Sequence, residues 1–203
     1  TVGNLVSQCV TAQNRQVIAA MNGDFFSYTG TPSGLQIVER EIITSPLRTK
    51  ALLAQLPSGD CEFRENVEMK AKLETESGKE QLMLDAINRP KDTRRPDEAI
   101  LYNWRYGDST RSLAGGTAVV IRTGSDGGDS ERLTVGSAIK GVVDSVGASA
   151  DLPIGRGCIV VTAYGSKAEW IHRHLGTGME VTISIGYEGL TDAVQVISAN
   201  STL

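Results

Sequence analysis

Apolar and polar residues along this chain mostly alternate or fall in short runs, which is the pattern of strands. Residues 17–21 are a continuous apolar run and predict a buried strand, which Asn22-Gly23 ends with a turn signal. Residues 35–38 and 41–44 flank Glu39-Arg40 and predict a hairpin, although without the favoured Asn-Gly turn. Residues 51–56 and 61–63 flank Pro57-Ser58-Gly59-Asp60, a stronger hairpin signal. The clearest alternation follows, with Val67, Met69, Ala71 and Leu73 on one face and Glu68, Lys70, Lys72 and Glu74 on the other. Residues 76–79 turn this strand and 81–87 return. Residues 88–97 form a polar, Pro-bounded loop, longer than most connections and so a functional candidate. Further strands are predicted at 99–102, 118–122, 133–135, 140–146, 159–163, 180–187 and 194–198. Exposed turns are predicted at 125–129 and 148–153.

Helical spacing occurs twice. Val2, Leu5, Val6, Cys9 and Val10 predict a short amphipathic helix at the start of the chain. Residues 166–175 predict another, with Ser166 and Glu169 as a capping box and Gly176 as its stop. Strands and helices do not alternate, so βαβ winding is not expected. The fold class is therefore α+β, mainly antiparallel or mixed sheet with few short helices, in one domain over residues 1–203.

Composition narrows the function classes. The chain has 203 residues, 40% hydrophobic and 22% charged, with net charge −4 and pI about 5.3. That balance argues against a nucleic-acid partner. The one dense basic cluster, Arg89, Lys91, Arg94 and Arg95, reads as a solvated loop. No run of ~18 apolar residues is present, so no membrane span is expected. Cys9, Cys61 and Cys158 have no metal-like spacing, and Cys9 and Cys158 read as buried free thiols. His172 and His174 sit two apart on a predicted helix and so face different ways, which does not suit a metal pair.

The candidate chemistry lies where the strand at 17–21 breaks. It delivers Asn22, Asp24, Phe25 and Phe26 into a loop, and Gly30-Thr31-Pro32-Ser33-Gly34 follows. A rigid strand presenting polar groups and aromatics at its rim is a common way to build a ligand site. Asn and Asp also stabilise turns, and adjacent aromatics on an extended segment face opposite ways, one to a pocket and one to the core. Tyr102-Asn103-Trp104-Arg105-Tyr106 is the second candidate, since aromatic faces suit sugars and Arg suits phosphate.

Asn22-Gly23-Asp24-Phe25-Phe26 with Gly30-Thr31-Pro32-Ser33-Gly34 resembles the first signature of the phosphodiester glycosidase family. Ala86-Ile87-Asn88-Arg89-Pro90, Ile100-Leu101-Tyr102 and Gly107-Asp108-Ser109-Thr110 look like its middle block. The stretch from Leu152-Pro153 to Leu175-Gly176, with Val181-Thr182-Ile183, resembles a later one. The resemblance implies an enzyme that hydrolyses a sugar-1-phosphodiester of an envelope or exopolysaccharide glycan, such as one of N-acetylglucosamine. It implies Asn22 and Asp24 as catalytic residues and Phe25, Phe26 and Thr110 as substrate-binding residues; Arg105 joins the substrate-binding set on its own chemistry. Asp24 stays open as nucleophile, base or metal ligand, and no cofactor is named. The partner would be a carbohydrate or sugar phosphate, and the location extracellular or the cell envelope.

Two downstream signatures of the family, a His-Pro-Arg-Thr-like block and an Asp-Gly-Gly-Gly-Ser block, do not occur. The chain thus resembles the N-terminal portion of such a domain, active when full-length. Residues 194–198 are then expected at an unfinished sheet edge, to be completed by a second chain or a C-terminal segment. The alternative from another class is a non-catalytic carbohydrate-binding or structural envelope module.

Overall fold

The computed structural model describes residues 26, 30–46, 51–65, 67–124 and 131–198. The predicted helix near the start, the strand at 17–21, and Cys9 lie outside the described residues. Thirteen strands and one helix are found among the described residues. The strands are β1 (Gln36–Val38), β2 (Glu41–Thr44), β3 (Leu52–Gln55), β4 (Cys61–Arg64), β5 (Glu68–Thr75), β6 (Gln81–Leu84) and β7 (Ala86–Ile87). They continue as β8 (Glu98–Tyr102), β9 (Thr117–Arg122), β10 (Ala138–Ala148), β11 (Cys158–Tyr164), β12 (Glu180–Glu188) and β13 (Gln195–Ser198). The helix α1 is Ser166–His174. The architecture is mainly β, which agrees with an antiparallel or mixed sheet and few helices.

The strands form two sheets. The smaller runs β2-β1-β13-β3-β4 and the larger β6-β5-β12-β10-β9-β11-β8-β7. The neighbours pair antiparallel except β7 and β8, which are parallel. Apolar side chains from both sheets, among them Ile37, Leu52 and Val196 of the smaller and Leu73, Ile121, Val161 and Ile183 of the larger, share one core with Ile171 of α1. A second cluster of Ile100, Tyr102, Tyr106, Ile154 and Val160 fills the opposite face of β8 and β11. With apolar packing on both sides, β8 is buried at every position. It therefore carries none of the alternation that marks β5, where Ala71 and Leu73 are buried while Lys70 is exposed and Lys72 and Glu74 are half-buried.

Both predicted hairpins form. The β1–β2 turn has φ of +50° at Glu39 and +67° at Arg40, the left-handed geometry that matches the twist of paired strands. It is held from outside by the Arg40 amide, which donates to the Val194 carbonyl at 2.8 Å, and by Arg132, whose Nη2 donates to the Glu39 carbonyl at 3.0 Å.

Four expectations are corrected. Residues 133–135 are not a strand: Thr134 makes a single bridge to Glu41, and Leu133 and Val135 are buried as core plugs. Ser166 does not cap α1. Gly165 occupies that position at φ +59°, and Asp97 accepts the Ser166 amide at 2.6 Å in place of a local side-chain cap. A Cβ at Gly165 would stand 2.3 Å from Asp97 Oδ1, so glycine is required there by space as well as by φ. The basic loop is not uniformly solvated: Arg89 is 3% exposed, and Lys91 is buried against Glu98 at 3.3 Å. Finally, residues 194–198 do not form an open edge, because β13 lies inside its sheet between β1 and β3.

Candidate functional site

The two sheets are stitched together where β2 approaches β7. The Ser45 amide donates to the Ile87 carbonyl at 3.0 Å, the Ile87 amide donates to Ser45 Oγ at 2.9 Å, and the Ile42 amide donates to the Leu133 carbonyl at 2.7 Å. Immediately after β7 the chain must turn sharply, and Asn88 does so at φ +50°. Asn tolerates this conformation better than most residues, because a short polar side chain can bond locally. Here the side chain is fully buried and completely employed. Its Nδ2 donates to the Ile43 carbonyl and to Asn103 Oδ1, both at 2.8 Å, and its Oδ1 accepts the Asn103 amide at 3.0 Å. Asn103 Nδ2 donates in turn to the Glu131 carbonyl at 3.1 Å. This pair of buried amides locks the ends of β7 and β8 together with β2 and the segment at 131.

Arg89 continues the lock toward the motif loop. Its Nε donates to the Ser45 carbonyl, and its Nη2 to the carbonyls of Ser33 and Gly34. Thr44 Oγ1 donates to the same Gly34 carbonyl at 2.6 Å. The Gly-x-Pro-x-Gly stretch is therefore pinned to the sheet junction by a buried guanidinium.

A concave pocket of about 200 Å³ opens at this junction, lined by Thr31, Pro32, Thr44, Asn88, Arg105 and Tyr106 together with Gly30, Gln36 and Ile43. It brings the Gly30–Pro32 loop and the 103–106 turn onto one rim, although they are distant in sequence. It is smaller than the roughly 300–1,000 Å³ of a complete ligand pocket, so it fits one end of a ligand. A second cavity of about 630 Å³ borders the same junction at Ser45 and Arg89 and runs between β5, β6 and the 88–98 loop, where Met69, Met83, Asp85 and Glu98 line it. Of the residues proposed for the site, none that is described lines it.

Among the described residues, Arg105 is the one proposed site residue on the pocket wall. Its guanidinium is tightly oriented: Nε donates to Glu41 Oε1 at 3.1 Å and Nη2 to Glu41 Oε2 at 2.5 Å, while Glu41 is 1% exposed. Arg132 Nε approaches the same carboxylate at 3.4 Å. The Arg105 guanidinium lies 3.9 Å from the Trp104 ring centre and that of Arg156 4.2 Å from it, so two arginines pack on this indole. Arg156 is held in turn by buried Glu131 at 2.8 Å.

The other candidates fare differently. Asn22, Asp24 and Phe25 lie outside the described residues. Phe26 is 75% exposed and bridges Pro32, which keeps it beside the pocket loop, not in the core. Thr110 does not line the pocket. It is fully buried, donating to the Ala150 carbonyl at 3.2 Å and accepting the Leu152 amide at 3.1 Å, so it joins two loops. His172 Nε2 lies 2.7 Å from Thr117 Oγ1, and His174 packs on Trp170 with ring centres 4.9 Å apart. Cys61 and Cys158 are free, with Cys61 exposed, and burial pushes the Cys158 thiol up from its ordinary value. Sequence reading passed over Glu41, and it had Asn88 and Arg89 only as part of a candidate loop and of the family-like block, without a role for either side chain.

No family model matches the chain, and no curated protein matches it. Solved structures do. A hypothetical protein from Synechocystis superposes with a TM-score of 0.70 at 14% identity, over 98% of this chain and 34% of that one. A protein of Burkholderia pseudomallei K96243 described as a "Putative exported protein" superposes with a TM-score of 0.67 at 17% identity, over 97% of this chain and 44% of that one. The chain therefore spans between a third and a half of the length of these structures. Among the described residues, no helix is long and apolar enough to cross a membrane. What the likenesses establish is a shared fold.

Proposed function

We propose that this chain carries part of the substrate site of a glycosidase that cleaves a sugar from a sugar-1-phosphodiester, acting outside the cell or in the envelope. The observation that carries the reading is the pocket rim, where the Gly30–Pro32 loop and Arg105 meet over buried Asn88. The Gly30–Pro32 loop and Asn88 belong to the blocks that resemble the phosphodiester glycosidases, and Arg105 adds a cation suited to phosphate. The reaction breaks the bond between the anomeric carbon and the phosphate oxygen. Water supplies a hydroxyl to the sugar and a proton to the departing phosphomonoester. A phosphate leaves readily, so the demand is for a group that meets the anomeric centre and a donor that steadies the negative oxygens. Arg105 fits the second role. Asp24, with Asn22, is proposed for the first. The exported character given for the Burkholderia structure supports the location.

The test is release of free N-acetylglucosamine from an aryl phosphodiester of N-acetylglucosamine-1-phosphate, by this chain and by its longest natural form. Release that falls at least about a hundredfold on Asp24→Asn supports the reading. Sugar binding without release from either form returns the alternative, a carbohydrate-binding module. Neither binding nor release overturns both.

A further inference from the structure

The Glu41 carboxylate is the unexplained group at this site. It opens β2 from a strand that faces the core, and it is 1% exposed. A carboxylate in such a place is costly unless it is paired and hydrogen-bonded. Here the two arginines that meet it remain about one-third exposed, 35% for Arg105 and 34% for Arg132, and Arg105 lines the pocket.

We propose that Glu41 is a positioning residue, which aims the outer edge of Arg105 into the pocket to meet one anionic oxygen of the ligand. The inference rests on the reading of this pocket as a phosphate-accepting site. Three contacts fix the guanidinium: two N–H groups on the carboxylate and one face on the Trp104 indole. Nε and Nη2 are committed to Glu41, so the outer edge, with Nη1, is what remains for a ligand. A guanidinium held in this way loses little freedom when it binds, which is how preorganisation raises affinity.

The experiment uses ¹⁵N-labelled chain titrated with inorganic phosphate, following the Arg105 Nε–Hε resonance and the Asn88 side-chain amide. In the unmodified chain and in the surface-charge control Lys70→Ala, phosphate is expected to shift both signals. Glu41→Gln and Arg105→Lys are each expected to weaken phosphate binding by about fivefold or more, because the fork or its anchor is lost. Should Glu41→Gln fail to fold, judged from its amide spectrum, Arg105→Lys decides. Binding unchanged in the folded variant overturns the role of Glu41 and leaves the pocket reading intact. No phosphate response in the unmodified chain overturns both. Phosphate binding lost with Glu41, but without turnover of any sugar phosphodiester, sustains the positioning role and removes the hydrolase.

Discussion

Asn88 shows how much one side chain can carry at a junction. It serves a left-handed turn, the β2 carbonyl at Ile43 and the buried amide of Asn103 at once. Asn88→Gly keeps the turn and loses the bonds, at an expected cost of about 1–3 kcal/mol. Asn88→Ala adds backbone strain and is expected to cost about 1 kcal/mol more. Urea unfolding of both variants separates the two contributions. Asp97 offers a pH test. The hydroxyl and amide of Ser166 hold its carboxyl below the usual carboxylate range. A folded pKa that is lowered means the ion contributes stability above the ordinary value of about 4, and that contribution is lost as pH falls through the folded value. The stability difference between the wild type and Asp97→Asn is therefore expected at neutral pH and to shrink toward zero in acid, as thermal melts across that range would show. Neither role was legible in the sequence. Asn88 and Asp97 both sit in a polar loop, and polarity alone does not distinguish a solvated side chain from one spent on a distant backbone.

The elements that sequence reading found are those whose signal is local. The alternation of β5 and the turn at Pro57–Asp60 each follow from neighbours in the chain. Where tertiary contacts decide, the pattern misleads: Leu133 and Val135 are apolar because they plug the core, not because they pair in a sheet. Ser166 has the right spacing for a cap, but Asp97 reaches the helix start first. The β1–β2 turn lies between these cases. It forms despite two residues poorly suited to positive φ, because Val194 and Arg132 grip it from outside. Replacing Glu39-Arg40 by Asn-Gly is expected to relieve strain and stabilise the chain by about 1 kcal/mol, read as a raised denaturation midpoint. An unchanged or lowered midpoint would mean that the side chains of this turn matter more than its backbone.

At the scale of the molecule, one core spans both sheets, and the pocket sits at their seam. The two faces of β13 should respond differently. Val196 is 2% exposed and Ile197 37%. Val196→Ala is expected to cost about 2 kcal/mol and Ile197→Ala under about 1, measured by the same unfolding transition. The sequence suggested β13 as an open edge because two downstream signatures of the family it resembles are missing. Topology seats it between the earliest described strands, with Gln36 opposite Ile197 and the Ser198 amide on the Leu35 carbonyl. That pairing sets an order of events during synthesis. At roughly 5–20 residues per second, the edge of β1 waits on the order of ten seconds for its partner to leave the ribosome. Until then the loop bearing Thr31 and Pro32 has no finished sheet beneath it, so the pocket takes shape only after β13 has emerged.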